Sequence, residues 1–332
     1  MPDNFWNEAA RMAGCGLRVA AVAIPVGAIA WGLSRRAGGV VLPRPGRWVA
    51  PWGGFELFIV FAFSVAAPMG LVDPILNAAG FYRAVYGAEM LEKEWTPMRP
   101  LWSAAIFAPL WIGFLVLASR LAYPRWRPAR TSPIGNLAAG VAAWPAIHMV
   151  VALVHFAVLS SFLALELKPD SHPLEQSFKE GRLPVDEALF VVQAAVTAPW
   201  LEETLFRGAL LPWLLGRRWR SGLVMVIALL FAIAESATSS QLGPLCFALV
   251  LVSGGVVLRA RVRRHRRTIG AIYSSAALFA VVHSSVWPTP IPLFVLGLGL
   301  GWLAVRTRSI LAPTIVHALF NLVSVLFVLR GG

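Results

Sequence analysis

Ten apolar stretches, each close to the ~20 residues that a helix needs to cross a bilayer, leave this chain little choice of fold. They run near 15–34, 52–72, 101–120, 136–165, 187–215, 221–239, 242–258, 269–287, 291–305 and 310–329. Lipid offers the backbone no hydrogen bonds, so stretches of this kind fold as helices. The expected fold class is all-α, a polytopic transmembrane helical bundle of about ten spans. The shortest stretch, 291–305, suits a tilted or partly re-entrant element, and 136–165 is long enough to tilt or to break at Pro145.

Composition agrees. Of 332 residues, 58% are hydrophobic and 14% charged, more apolar surface than a soluble core of this size uses. The net charge of +13 does not point to nucleic acid, because the arginines cluster between apolar runs: Arg35, Arg36, Arg44 and Arg47; Arg120, Arg125, Arg127 and Arg130; Arg217, Arg218 and Arg220; six from Arg259 to Arg267; Arg306 and Arg308. Arginine in alternate loops places those loops in the cytoplasm and both termini outside. Asp3 and Glu8 precede the first apolar run and no small-residue cleavage pattern follows it, so the run reads as a retained span. Cys15 and Cys246 lie in apolar stretches without metal spacing and read as inert packing.

Two regions follow from where polar residues fall. Residues 1–185 form a scaffold of about four spans, and 186–332 carry the chemistry. An ionisable group inside a span costs about 2.5–3.5 kcal/mol on insertion scales, so each needs a partner or a task. The run Ala198-Pro-Trp-Leu-Glu-Glu-Thr-Leu-Phe-Arg puts Glu202 and Glu203 in a span, with Arg207 one turn beyond, where Glu203 and Arg207 can satisfy one another. Glu202 is turned about 100° from Glu203. One carboxylate is thus left for the bundle interior, where poor solvation beside a second acid favours a raised pKa and general-base chemistry. A purely structural ion-pair network is the competing reading. His283, at the end of Phe279-Ala-Val-Val-His, and the pair His317 and Asn321, on one face of the last span, add polar groups from two more helices. Counting ~1.5 Å per residue places Glu202 and His317 near the middle or cytoplasmic half.

The order Glu-Glu-x-x-x-Arg, Phe-x-x-x-His, His-x-x-x-Asn resembles the CPBP intramembrane proteases, the Abi-like group that includes CAAX prenyl endopeptidases and bacteriocin-processing or immunity proteins. The resemblance covers roughly 190–329. It extends through Leu296-Gly-Leu-Gly-Leu-Gly-Trp-Leu-Ala-Val-Arg-Thr-Arg-Ser-Ile into Pro313-Thr-Ile-Val-His317-Ala-Leu-Phe-Asn321. It implies that Glu202 activates the attacking water with help from His283, and that His317 and Asn321 stabilise the oxyanion. A metalloprotease version, with zinc or another divalent metal on Glu202, His283 and His317, stays open beside a metal-free one. The implied partners are a peptide or membrane-protein substrate, prenylated or not, and the bilayer. The implied place is a bacterial plasma membrane, with the site toward the cytoplasmic half.

One departure stands out. The family's Phe-x-x-x-His block is expected near 235, where this chain has Phe231-Ala-Ile-Ala-Glu235, and the histidine arrives 48 residues later at 283. Ala228-Leu-Leu-Phe-Ala-Ile-Ala-Glu-Ser aligns with Ala276-Ala-Leu-Phe-Ala-Val-Val-His-Ser, which reads as a helix pair inserted around 236–270. Two extra spans preserve the direction of everything after them. Glu235 is then an extra acid that pairs with an arginine, lines a substrate cleft or replaces a catalytic position. His148 and His155, seven apart on one helix face, read as structural. The competing function is a non-enzymatic membrane protein, an immunity or partner-binding factor that keeps the motif as a folding network. A transporter is disfavoured, since the two halves show no matching repeat of broken polar helices.

Overall fold

The computed structural model describes isolated positions between residues 21 and 32 and then residues 48–90, 98–124, 132–170, 184–262 and 266–329. Cys15, most of the expected span 15–34, the basic residues of 35–47 and Arg125, Arg127 and Arg130 lie outside them. Among the described residues every regular element is helical. In chain order these are α1 (Gly54–Ala78), α2 (Phe81–Met90), α3 (Met98–Ala122), α4 (Pro133–Ala164), α5 (Pro184–Val192), α6 (Ala198–Glu203), α7 (Leu211–Leu214), α8 (Arg218–Ser239), α9 (Gly243–Arg261), α10 (Arg266–Val281), α11 (Pro290–Thr307) and α12 (Leu311–Leu329).

The spans among the described residues are fewer than expected. Among the described residues six helices, α1, α3, α4, α8, α9 and α11, are long and apolar enough to cross a bilayer. Two shorter apolar segments, Arg267–Val281 in α10 and Leu311–Leu326 in α12, bring the count to between six and eight rather than ten. Residues 184–214, within which the stretch 187–215 falls, are helical throughout, with α5, α6 and α7 joined by two π turns, but the segment is not among the helices long and apolar enough to cross. The stretch 269–287 stops at Val281, where turns take over before Pro288 and Pro290. By contrast, α4 runs unbroken through Pro145.

Proline explains where the helices widen. Turns of π-helix occupy Pro68–Val72, Gln193–Thr197 and Thr204–Leu210. Each ends two residues before a proline: Pro74, Pro199 and Pro212. A proline ring clashes with the carbonyl four residues back and brings no N–H to it, so the preceding turn opens and takes its hydrogen bonds one residue further along. The N–H of Asp73 accordingly reaches the carbonyl of Pro68, and that of Ala198 the carbonyl of Gln193. Pro109 and Pro145 sit in uninterrupted helix, so proline permits the wide turn without forcing it.

The chain falls into two compact units, each drawing on both ends of the sequence. The first takes in the described residues of 1–50, 128–171 and 206–316. Its centre is α11, with 61% of its apolar window buried against at most 28% in the other long helices. There α10 packs on α8, α9 and α11, and α4 packs on α11. Gly297 makes the α10–α11 approach possible: a Cβ there would lie 3.0 Å from the Cβ and 3.1 Å from the Cα of Ala276.

The second unit takes in the described residues of 51–127, 172–205 and 317–332. Tyr82, Tyr86, Met98, Leu101 and Leu189 form its core. The polar groups buried there are paired, as burial demands. Arg99 grips Asp73 through Nε (2.7 Å) and Nη2 (2.6 Å), and Tyr82 donates its hydroxyl to Asp73 (2.8 Å). On α2, Tyr86 donates to Asp186 at the start of α5 (2.6 Å) and accepts from the indole N–H of Trp102 (2.8 Å). Burial first, and the bond to Asp186 second, push the Tyr86 phenol above its usual value.

Candidate functional site

Within the second unit, α6 and α12 bring both glutamates to one imidazole. Glu203 is fully buried, and its Oε1 lies 3.0 Å from Nδ1 of His317, itself only 2% exposed. A carboxylate accepts, so Nδ1 carries the proton. The other ring nitrogen, Nε2, turns to Glu202, whose Oε2 is 3.9 Å away. Glu202 keeps a quarter of its side chain exposed, so of the two acids it is the one a water or substrate reaches.

Asn321, one turn beyond His317, donates Nδ2 to the carbonyl of Ala194 at 2.8 Å. That carbonyl is orphaned by the wide turn. Its regular partner, the N–H of Ala198, has gone to Gln193, and the next residue is Pro199, which has no N–H. The side chain of Asn321 supplies the donor that the backbone withholds.

The first unit holds the other two residues. Arg207 is fully buried, its guanidinium 4.5 Å from the centre of the Phe279 ring and 5.8 Å from that of Phe206. Its Nη2 donates to the carbonyl of Gly297 at 3.3 Å. His283 stands just past the end of α10, half-buried, with Nδ1 2.7 Å from the carbonyl of Phe279. Since a carbonyl only accepts, Nδ1 donates, and the neutral ring keeps Nε2 as an acceptor. Asp170 pins the turn that carries His283: its N–H donates to the carbonyl of Trp287 (2.8 Å), and its carboxylate accepts from the N–H of Trp287 (3.1 Å). Nothing in the sequence marked Asp170, because its partner is backbone 117 residues away.

The two look-alike segments are not equivalent. Phe279 is fully buried beneath Arg207, whereas Phe231 is 40% exposed. Glu235, the counterpart of His283, is half-buried, and among the described residues its carboxylate makes no hydrogen bond or ion pair, so the expected pairing with an arginine is not found. His148 is buried beside Trp144, with ring centres 5.7 Å apart, while His155 is exposed, so their shared face does not give them a shared environment. Cys246 is exposed on α9 rather than packed.

A metal-holding site needs about three converging protein ligands. Among the described residues no group of three His, Cys, Asp or Glu side chains meets that need. Glu203 already occupies one nitrogen of His317.

These features describe a multi-pass helical membrane protein that buries a two-acid, one-imidazole centre. Residues 184–266 and 255–323 match the family model of the Rce1-like type II CAAX prenyl endopeptidases, in agreement with the resemblance carried by the motifs. The match spans less than half of the chain and leaves the first 183 residues outside it. It associates the region with a family of membrane proteases. No curated protein and no solved structure matches the chain.

Proposed function

We propose that the chain is an intramembrane endopeptidase that hydrolyses a peptide bond of a membrane-associated or prenylated substrate, with Glu202 as the base. The observation that carries this reading is the division of labour around His317. The fully buried Glu203 holds Nδ1, leaving Nε2 and the accessible Glu202 facing each other.

In the proposed reaction Glu202 takes a proton from water as the water oxygen bonds to the scissile carbonyl carbon. The second N–H of Asn321 donates to the oxyanion that forms, and the resemblance gives His317 a part in stabilising it. The carbon–nitrogen bond then breaks, and the proton held by Glu202 passes to the leaving amine. The resemblance gives His283 a share in activating the water, through the ring nitrogen Nε2 that does not face the carbonyl of Phe279. The burial of Phe279 under Arg207 supports His283 over Glu235 for that share. The two overlapping segments of the family match fit an inserted helix pair, since residues 255–266 fall in both. The basic ends of the spans favour a site in the cytoplasmic half of a bacterial plasma membrane.

The test compares wild type, Glu202→Gln, His283→Ala and Glu235→Gln, each checked for folding in detergent, on farnesylated and unmodified peptides with and without a chelator. Cleavage by wild type and Glu235→Gln, lost in the other two and indifferent to chelator, is expected. A folded wild type that binds such peptides and cuts none sinks the protease reading in favour of a partner-binding one.

A further inference from the structure

Helices α8, α9 and α10 of the first unit enclose a cavity of about 360 Å³, within the range of small-molecule and lipid sites. Its interior is apolar in effect as well as in composition. The Tyr273 hydroxyl is spent on the carbonyl of Leu251 (2.7 Å), and that of Ser274 on the carbonyl of Gly270 (2.8 Å). What remains to face an occupant is hydrocarbon such as Met225, Leu229 and Val252.

The mouth is the opposite. The three helices alternate in direction, and their arginine-bearing ends meet there: Arg218 opens α8, Arg259 and Arg261 close α9, and Arg267 stands at the start of α10. All four side chains are exposed. Arg259 lines the cavity itself, and its Nη2 donates to the carbonyl of Arg218 at 3.4 Å. It lies across Gly222, where a Cβ would sit 3.1 Å from that nitrogen, so the missing side chain is what lets the guanidinium lie over the opening. Among the described residues no ion pair to these four arginines is found. Glu235 is the last acidic residue of the sequence, and it stands fourteen residues along α8 from Ser221 at the mouth, about 21 Å away.

An apolar slot capped by guanidinium groups at the end of membrane-spanning helices has the chemistry of a lipid with a negatively charged headgroup. We propose that this cavity binds one acyl chain of an anionic phospholipid, with Arg259 holding the headgroup phosphate. The site is independent of the protease reading, since none of its residues takes part in that chemistry.

Native mass spectrometry of the detergent-purified chain, incubated in parallel with phosphatidylglycerol, phosphatidylcholine or inorganic phosphate, tests it. Wild type is expected to retain phosphatidylglycerol over phosphatidylcholine by about five-fold, the preference that one arginine near an anionic surface confers. Arg259→Gln, a change at an exposed position, brings the ratio close to one, whereas Arg120→Gln at the end of α3 leaves it intact. Val252→Trp, which fills the slot, lowers retention of both lipids. Equal retention of the two lipids by wild type overturns the proposal, as does a preference that survives Arg259→Gln. Stabilisation by inorganic phosphate as large as that by phosphatidylglycerol also overturns it, because the acyl chain would then contribute nothing.

Discussion

Asn321 gives a side-chain N–H to the carbonyl of Ala194 over 2.8 Å, and that carbonyl has no backbone donor because Ala198 bonds one residue further back and Pro199 has none to give. Leaving a buried acceptor unserved costs about 1–3 kcal/mol. Asn321→Leu is therefore expected to destabilise the fold by that amount. Pro199→Ala restores a backbone N–H to the same turn, so the double variant is expected to lose less than the two single changes together. A thermal-melting double-mutant cycle in detergent measures this, and strict additivity would show that the two residues do not serve the same carbonyl.

Glu202 and Glu203 are expected to fail in different ways. Glu202→Gln removes the accessible carboxylate and lowers the rate of peptide cleavage by about 10²–10⁴-fold with the melting midpoint nearly unchanged. Glu203→Gln weakens the buried partner of His317 and costs about 1–3 kcal/mol of stability as well as activity. Equal melting losses in both would mean that the two acids share one structural role.

Gly297→Ala puts a methyl group against the backbone of α10, 3.1 Å from the Cα of Ala276, which has no side-chain freedom to yield. Overpacking of this kind costs about 1–3 kcal/mol. The carbonyl of Gly297 also receives Arg207, so the variant is expected to loosen that contact too. Gly299→Ala serves as the comparison, since a Cβ there meets only the movable side chain of Ile147.

Alkali should find Tyr86. Its folded phenol holds the proton above the pH near 10 at which a free tyrosine releases it. Below that pH its contribution to stability is fully present. Above it the unfolded chain carries fewer protons than the folded one, and stability falls as pH rises. Tyr86→Phe is expected to be less stable at neutral pH, because Asp186 loses its donor, and to show a shallower decline between about pH 10 and 12. Melting midpoints against pH compare the two slopes.

The helical membrane class could be read from hydropathy, and three short motifs marked the candidate site residues, because buried charge in an apolar run is conspicuous. The partnerships could not. Sequence spacing put Glu203 and Arg207 on one helix face but gave no sign that His317, 114 residues away, meets Glu203. The stretch 187–215 reads as one helix and is helical throughout, yet with two π turns it is not among the helices long and apolar enough to cross. What hydropathy does not record is that a proline can widen the turn before it. Asp170 and Tyr86 are polar residues in unremarkable loops and short helices, and their importance lies wholly in what folding brings to them.

The wide turns also bear on how this chain can change in length. A turn closed over five residues holds one more than a turn closed over four, so each carries a spare residue that a regular helix has no room for. Removing one residue between Gln193 and Thr197 would let the segment settle into ordinary helix at little cost to the backbone. Everything beyond it would keep its direction, because the turn gives up only its spare residue, and Glu202 would still face His317. Loss of a single codon there is thus a change that the site can survive, whereas the same loss in regular helix would turn Glu202 away by about 100°.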